Sequence, residues 1–403
     1  MNDADDPLAP FRARFGLPEG TIYLDGNSLG ALPLVTPGRL AEVVHEEWGR
    51  GLITSWNAAG WVAAPQRIGD KIARLVGADE GEVIACDSTS VNLFKLLTAA
   101  LSLRPERTTI LSESGNFPTD VYMMQGIETL TRGAVRARLA GPDEIEAVLD
   151  DRVAVLLLTQ VHYKTGRMRD IAALTARAHA CGALTIWDLS HSAGAVPVDL
   201  AAAQADFAVG CGYKYLNGGP GAPAWLYVAR RHQDRVSPVL SGWFGHARPF
   251  DFTDDYQPAV GIARFLCGTP PVLGLAALEC GVDLMLEADM TQIRAKSVAL
   301  GELFVADMAP LCERFGFTLA SPAGPAARGS QIAYAHPEAH AIVQALIARG
   351  AIGDFRAPDI LRFGLTPLYL RFADVERAVA ILDEIMEARA WDRPEYRVRS
   401  AVT

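Results

Sequence analysis

Between residues 80 and 230 the chain alternates short, continuously apolar runs with longer stretches whose apolar residues recur at helical spacing. "GEVIAC" precedes "SVNLFKLLTAAL", "TTILSES" precedes a helix opening after "NFPTD", and "VAVLLLTQV" precedes "DIAALTARAHACG". "ALTIWDLS", "ADFAVGCG" and "PAWLYVA" follow. A run such as VAVLLL has no polar position and suits a strand covered on both faces, as in a parallel sheet between helix layers. Strand, helix, strand, repeated, predicts right-handed crossovers and a doubly wound α/β domain. After residue 275 the texture changes. One long helical stretch, 274–316, leads to shorter strand-like pieces. "HPEAHAIVQALIARG" then reads as a helix with Pro337 in its first turn and Gly350 past its end. The expected division is a large domain over 61–275 and a small α+β domain over 276–403, with the N-terminal segment 1–60 packing against the small one.

Composition narrows the class. With 403 residues, 50% of them apolar, the chain can bury a large core in two domains. The formal net charge of −10, with both signs interspersed, argues against a nucleic-acid partner, which clustered Lys and Arg would meet. No apolar run approaches a membrane span, and the acidic start "MNDADDPLAPF" lacks the order of a secretion signal. Its first few residues are expected to be unstructured. Cys86, Cys181, Cys211, Cys267, Cys280 and Cys312 form no CxxC pair and read as buried small hydrophobes of a reducing cytoplasm.

Three motifs invite chemistry that their context argues against. "GNSLG" at 26–30 matches a serine-hydrolase elbow, but Pro33 and Pro37 discourage the helix that should follow Ser28. A tight turn lining a site is the alternative. "HPEAH" spaces His336 and His340 like zinc ligands, yet Pro337 stands beside the first histidine where the motif continues with glutamate, so no metal is expected and the histidines read as solvent-exposed. Cys312 lies inside a helical stretch, away from the helix start that would activate a thiolate.

The five lysines can be compared one by one. Lys71, Lys95 and Lys296 sit in helical patterns, where such a side chain normally reaches solvent. Lys164 lies in a "YKTG" turn. Only Lys214, in "GCGYKYLNGGPGAP", follows a buried-looking strand at its C-terminal end, where open α/β sheets bind ligands. The alternative is a lysine that merely closes a turn. "TIWDLSHSAG" places Asp188 and His191 at the same sheet edge. A carboxylate beside a lysine there suits pyridoxal phosphate (PLP): the lysine links to the cofactor aldehyde and the Asp keeps the pyridine nitrogen protonated. Thr89 and Ser90 in "DSTSVNLFKLL" stand at a helix start that can hold a phosphate or be an ordinary cap. In "NFPTD", Phe117 reads as a ring cover or plain core, and Asp120 as a ring contact or a cap. Tyr213 can bond the phosphate, and Gly218, Gly219 and Gly221 let the backbone turn close by.

The chain resembles the kynureninases, fold-type I PLP enzymes of the aminotransferase superfamily. The likeness runs through "YLDGNSLG", "EEWGRGLITSWNAAGW", "NFPTD", "WDLSHSAGAVPVDL", "GCGYKYLNGGPG", "LSGWFGHARPF", "LCGTPP" and "LRFGLTPLY", nearly the whole chain. It implies hydrolysis of the Cβ–Cγ bond of L-kynurenine to anthranilate and L-alanine, in tryptophan degradation. Cofactor contacts are implied for Thr89, Ser90, Phe117, Pro118, Thr119, Asp120, Thr159, Asp188, His191, Tyr213 and Lys214. Of these, Lys214, Asp188 and Tyr213 are implied as catalytic. The resemblance also implies a homodimer with shared sites, in which Trp243 and Thr269 reach the neighbouring subunit's phosphate. Arg362, which read alone is a strand-end surface charge, would bind the substrate carboxylate. Trp61 and Ser28 would line the aryl pocket, Trp61 resembling the bacterial branch that favours kynurenine over 3-hydroxykynurenine. Two rival readings are a cysteine desulfurase of the same fold, which needs a reactive cysteine on a mobile C-terminal loop, and a PLP-binding sensor without catalysis.

Overall fold

A short strand, β1 (Ile22–Tyr23), precedes the seven strands of the central sheet: β2 (Val83–Ala85), β3 (Thr109–Glu113), β4 (Arg136–Ala140), β5 (Val153–Thr159), β6 (Leu184–Asp188), β7 (Phe207–Gly210) and β8 (Trp225–Val228). These belong to a computed structural model that describes residues 2–399. The sheet order is β2-β8-β7-β6-β5-β3-β4; β7 through β4 are parallel, and β8 alone runs antiparallel to both of its neighbours. The mostly parallel α/β fold expected from the apolar runs is therefore present. Every residue of β5 is buried, and its side chains divide between two cores. Leu156 and Leu158 join one apolar cluster, Val155 and Leu157 the other, as period-2 alternation between two covered faces requires.

Local chemistry sets the helices that follow these strands. Ser88 caps the helix Thr89–Ser102, Pro118 opens the helix Pro118–Leu130 from its first position, and Asp170 caps Ile171–Ala180. Five further strands follow: β9 (Thr318–Leu319), β10 (Gln331–Ala335), β11 (Ala351–Ile352), β12 (Asp354–Arg356) and β13 (Ile360–Gly364). Four form an antiparallel sheet in the order β12-β13-β10-β9, while β11 pairs in parallel with β1. The N-terminal segment is thus hydrogen-bonded to the C-terminal part of the chain.

Several expectations need correction. The stretch 274–316 is two helices, Val272–Leu286 and Met290–Phe315, because the Asp289 side chain accepts from the backbone N–H of Thr291 and Gln292 and restarts the chain as a new helix. Pro337 lies before its helix, which begins at Ala339. The N-terminal residues are structured from Asn2 onward, Met1 lying outside the described residues. Asn2 caps a 3-10 turn, and Asp3 accepts from the backbone N–H of Phe372 and Ala373 at the start of the helix Phe372–Glu387. Asp6 meets Lys296 Nζ at 2.7 Å, both side chains about 1% exposed.

Lys296 is therefore buried, and so is Lys95, which reaches Asp87 at 2.6 Å and the carbonyl of Phe265. A lysine in a helix is driven inward when a carboxylate and a carbonyl wait there. His336 is buried against Phe317 rather than exposed, and His340 is half-buried. Of the six cysteines, all free, Cys86, Cys211 and Cys280 are buried; Cys181, Cys267 and Cys312 are only partly so.

Candidate active site

Parallel strands put their C-terminal ends on one edge of the sheet, and the predicted chemistry gathers there. Thr159 ends β5, Asp188 ends β6, and Lys214 comes four residues after β7. The turn 26–30 packs on this edge from the N-terminal segment. Gly30 N–H donates to the Tyr213 carbonyl at 2.7 Å, and a Cβ on Gly30 would fall 2.2 Å from the Lys214 carbonyl oxygen. "GNSLG" is a tight turn bearing on the lysine loop.

Lys214 is buried. Its Nζ lies 2.8 Å from His191 Nε2, 5.7 Å from the centre of the Phe117 ring and 5.8 Å from that of Tyr213. Burial lowers its pKa against the pull of Cys211 and Asp188, and the cations Arg362 and Arg356 add to the lowering. Burial equally raises the carboxyl of Asp188, whose Oδ1 accepts from Ser190 N–H at 2.8 Å. Asp120 is raised well above the ordinary range, by burial first and by Asp188 second. Its Oδ2 accepts weakly from Asn116 Nδ2 at 3.3 Å and Thr159 Oγ1 at 3.4 Å; its Oδ1 is buried with no partner among the described residues. Two buried carboxyls, of which Asp188 raises Asp120 and Asp120 has an oxygen left unpartnered, have room for further donors, which a protonated ring nitrogen and a phenolic ring substituent would supply. The residues present fit PLP.

Thr89 and Ser90 begin the helix that leads out from β2 at the same edge, while Pro118 and Thr119 begin the one after Phe117. Phe117 is 36% exposed, so it is a face available to a ring and not plain core.

Arg362 is about 1% exposed, not the surface charge its position alone suggested. Its Nε donates to Asp354 Oδ1 at 2.8 Å, its Nη2 to the other oxygen of the same carboxylate and to Ser28 Oγ at 2.6 Å, and its Nη1 to the Tyr163 carbonyl at 2.6 Å. Arg356 shares Asp354 at 2.6 Å and reaches Ser28 Oγ at 3.1 Å. Two guanidinium groups on one carboxylate leave a net positive charge, which suits an anion. Nearby Asp25 is pushed up to about 7, by burial first and then by Asp354.

The remaining candidates lie elsewhere. Trp61 donates to Glu47 at 2.6 Å and lines a cavity of about 380 Å³ with Val43, Trp48 and Pro271. Trp243 packs edge-on to Phe244 and Phe250, and Thr269 is exposed. No hydrogen bond among the described residues ties these three to Lys214. Sequence reasoning missed Asn116, Asp354 and Gln331. Asn116 stood in the quoted "NFPTD", and Asp354 and Gln331 are polar residues that open short strands, a signal too common to single them out.

Comparison with known proteins decides the family. The family profile described as the kynureninase C-terminal domain matches residues 293–382. A kynureninase from Pseudomonas fluorescens is 51% identical across all of this chain and 98% of its own length, and one from Burkholderia pseudomallei strain 1106a gives the same figures. The chain belongs to the kynureninase family. Among solved structures, kynureninase architecture in this chain is shared at lower identity by two cysteine desulfurases. Escherichia coli CsdA has a TM-score of 0.77 at 21% identity, covering 94% of this chain and 98% of its own. The apo enzyme of Thermococcus onnurineus NA1 has a TM-score of 0.79 at 17%, covering 96% and 100%. Likeness at that identity carries the fold alone. The desulfurase reading also lacks its thiol: Cys312 lies within the helix Met290–Phe315, and burial raises its pKa.

Proposed function

We infer that this chain hydrolyses the Cβ–Cγ bond of L-kynurenine, giving anthranilate and L-alanine, with pyridoxal phosphate as its cofactor. The observation that carries the reading is a buried, easily deprotonated amine, Lys214, set at one sheet edge with Asp188 and near a buried, anion-ready Arg362. When bound, the cofactor draws electrons from the substrate Cα and so stabilises a carbanion there. Lys214 would tether the cofactor and, when free, would be the base that takes the Cα proton. A pKa lowered by burial makes its free amine more accessible for that work. Asp188 would hold the ring nitrogen protonated. Thr89, Ser90 and Tyr213 would hold the phosphate, Phe117 would cover one ring face, and Pro118, Thr119, Asp120, Thr159 and His191 would close the remaining sides. Arg362 would fix the substrate α-carboxylate, and Tyr213 would supply a proton after water has added to the side-chain carbonyl and the bond has broken.

Trp243 and Thr269 enter this scheme through a homodimer in which each chain completes its neighbour's site. Trp61 serves the aryl ring, with Ser28 at the boundary between aryl group and carboxylate, and kynurenine is preferred to 3-hydroxykynurenine. The setting is cytoplasmic; among the described residues no helix is long and apolar enough to cross a membrane. The test is anthranilate fluorescence from PLP-loaded protein given L-kynurenine, with 3-hydroxykynurenine followed by absorbance. Wild-type release with none from Lys214→Ala is the expected result; absence of release from cofactor-loaded wild type would end the substrate assignment.

A further inference from the structure

Gln331, at the start of β10, is fully buried and joins the two halves of the site. Its amide nitrogen lies 3.1 Å from the His162 carbonyl and 3.0 Å from the Tyr163 carbonyl. Carbonyls only accept, so those contacts fix which end of the amide is nitrogen. Its oxygen therefore faces His191 Nδ1 at 3.0 Å, with Asn27 Nδ2 at 3.5 Å on the same atom. An amide oxygen cannot donate, so Nδ1 must carry the proton. The ring is neutral, because burial and the cations Arg362 and Arg356 disfavour imidazolium, as does Lys214 whenever it is protonated, against the single opposing contact from Gln331. Nε2 is left bare, 2.8 Å from Lys214 Nζ.

The alternative tautomer would aim an N–H at the lysine nitrogen and occupy the lone pair on which its chemistry depends. With Nδ1–H, Lys214 donates one of its hydrogens to Nε2 and keeps that lone pair free. We propose that Gln331 is a positioning residue: by accepting from Nδ1 it holds His191 in the tautomer that orients the Lys214 amine and leaves its lone pair available to take a proton. The catalytic part of this rests on the kynurenine reading; the tautomer does not.

Cofactor-free protein labelled with ¹⁵N in its histidines, His191 being assigned by its disappearance in His191→Asn, reports the protonated ring nitrogen directly. The expected result is Nδ1–H in wild type and a shift toward Nε2–H in Gln331→Met, whose thioether is only a weak acceptor. Gln331→Glu keeps an acceptor oxygen but loses both donors to the 162–163 carbonyls, so it should retain Nδ1–H. On kynurenine, kcat should fall about tenfold in Gln331→Met, the scale of one lost hydrogen bond, with KM changing less and Gln331→Glu less impaired. Nε2–H in wild type would overturn the proposal, as would Nδ1–H persisting in Gln331→Met. A Gln331→Glu enzyme as slow as Gln331→Met would also overturn it, making the residue a brace for the 162–163 turn. If wild type shows Nδ1–H yet does not turn kynurenine over, the substrate reading fails and the positioning stands.

Discussion

Arg362 shows what one buried side chain requires. A guanidinium at about 1% exposure is tolerable only because Asp354 takes two of its N–H groups and Ser28 and the Tyr163 carbonyl take others, the more so as Arg356 competes for the same carboxylate. That geometry presents a planar fork held from behind, and a lysine cannot reproduce it. Arg362→Lys should lower kcat/KM for kynurenine by about 100-fold, mostly through KM, since charge-assisted hydrogen bonds are worth roughly 1.5–3 kcal/mol. Steady-state kinetics checks this, and an unchanged KM would remove Arg362 from the carboxylate. The residue scale is also where sequence reading was least secure. Lys214 was singled out partly because other helical lysines should face solvent, yet Lys95 and Lys296 are buried too. What separates Lys214 is the company it keeps: His191 at 2.8 Å and Asp188 nearby, where Lys95 and Lys296 each have a carboxylate within 2.7 Å as a fixed partner.

At the scale of elements, the strands with unbroken apolar runs, β5, β6 and β7, were legible because both of their faces are covered. β4 was not: RARLA is an edge strand whose side chains are mostly part-exposed, so its pattern carries no core signal. The split between the two long helices was hidden for a different reason, since one Asp289 cap breaks the helix without changing the apolar texture around it. Strand β7 is anchored at the end opposite Lys214 by Asp206, which stands just before it. Burial alone would raise the Asp206 carboxyl, but hydrogen bonds from His179 at 2.8 Å, His232 at 2.7 Å and the Thr185 N–H at 2.9 Å hold it well below the ordinary range. A depressed carboxyl contributes stability that is fully present above its unfolded pKa of about 4 and is lost as pH falls toward the folded value. Asp206→Asn should therefore destabilise the fold by about 3 kcal/mol at pH 7, the scale for removing one partner from a buried charge cluster. The gap in urea midpoint should narrow below about pH 4. Because Asp206 is at the far end of β7, kcat of the folded variant should be unchanged; a drop in kcat with the midpoint intact would contradict this anchoring role.

The molecule as a whole leaves apolar surface uncovered on two stretches that meet through Trp56 and Phe244, whose ring centroids are 6.1 Å apart. Trp48, Leu52 and Ile53 are exposed in the N-terminal segment, and Phe250, Phe252 and Val260 near Trp243, with Ile53 at 76% and Val260 at 82%. The sequence likeness implies Trp243 and Thr269 as site residues, and the proposed homodimer would carry them to the neighbour's site. If Trp243 serves the neighbour's site, two defective chains should repair one another. In a heterodimer of Lys214→Ala and Trp243→Ala, the site built on the intact Lys214 receives its Trp243 from the other chain and is whole, while the second site carries both defects. Random reassociation of equal amounts makes half of the dimers mixed, each with one good site in two, so activity should recover to about one quarter of wild type. Each variant alone should stay far below that. If Trp243 instead serves its own chain, mixing yields no complete site, and the activity of the mixture is only the average of the two variants.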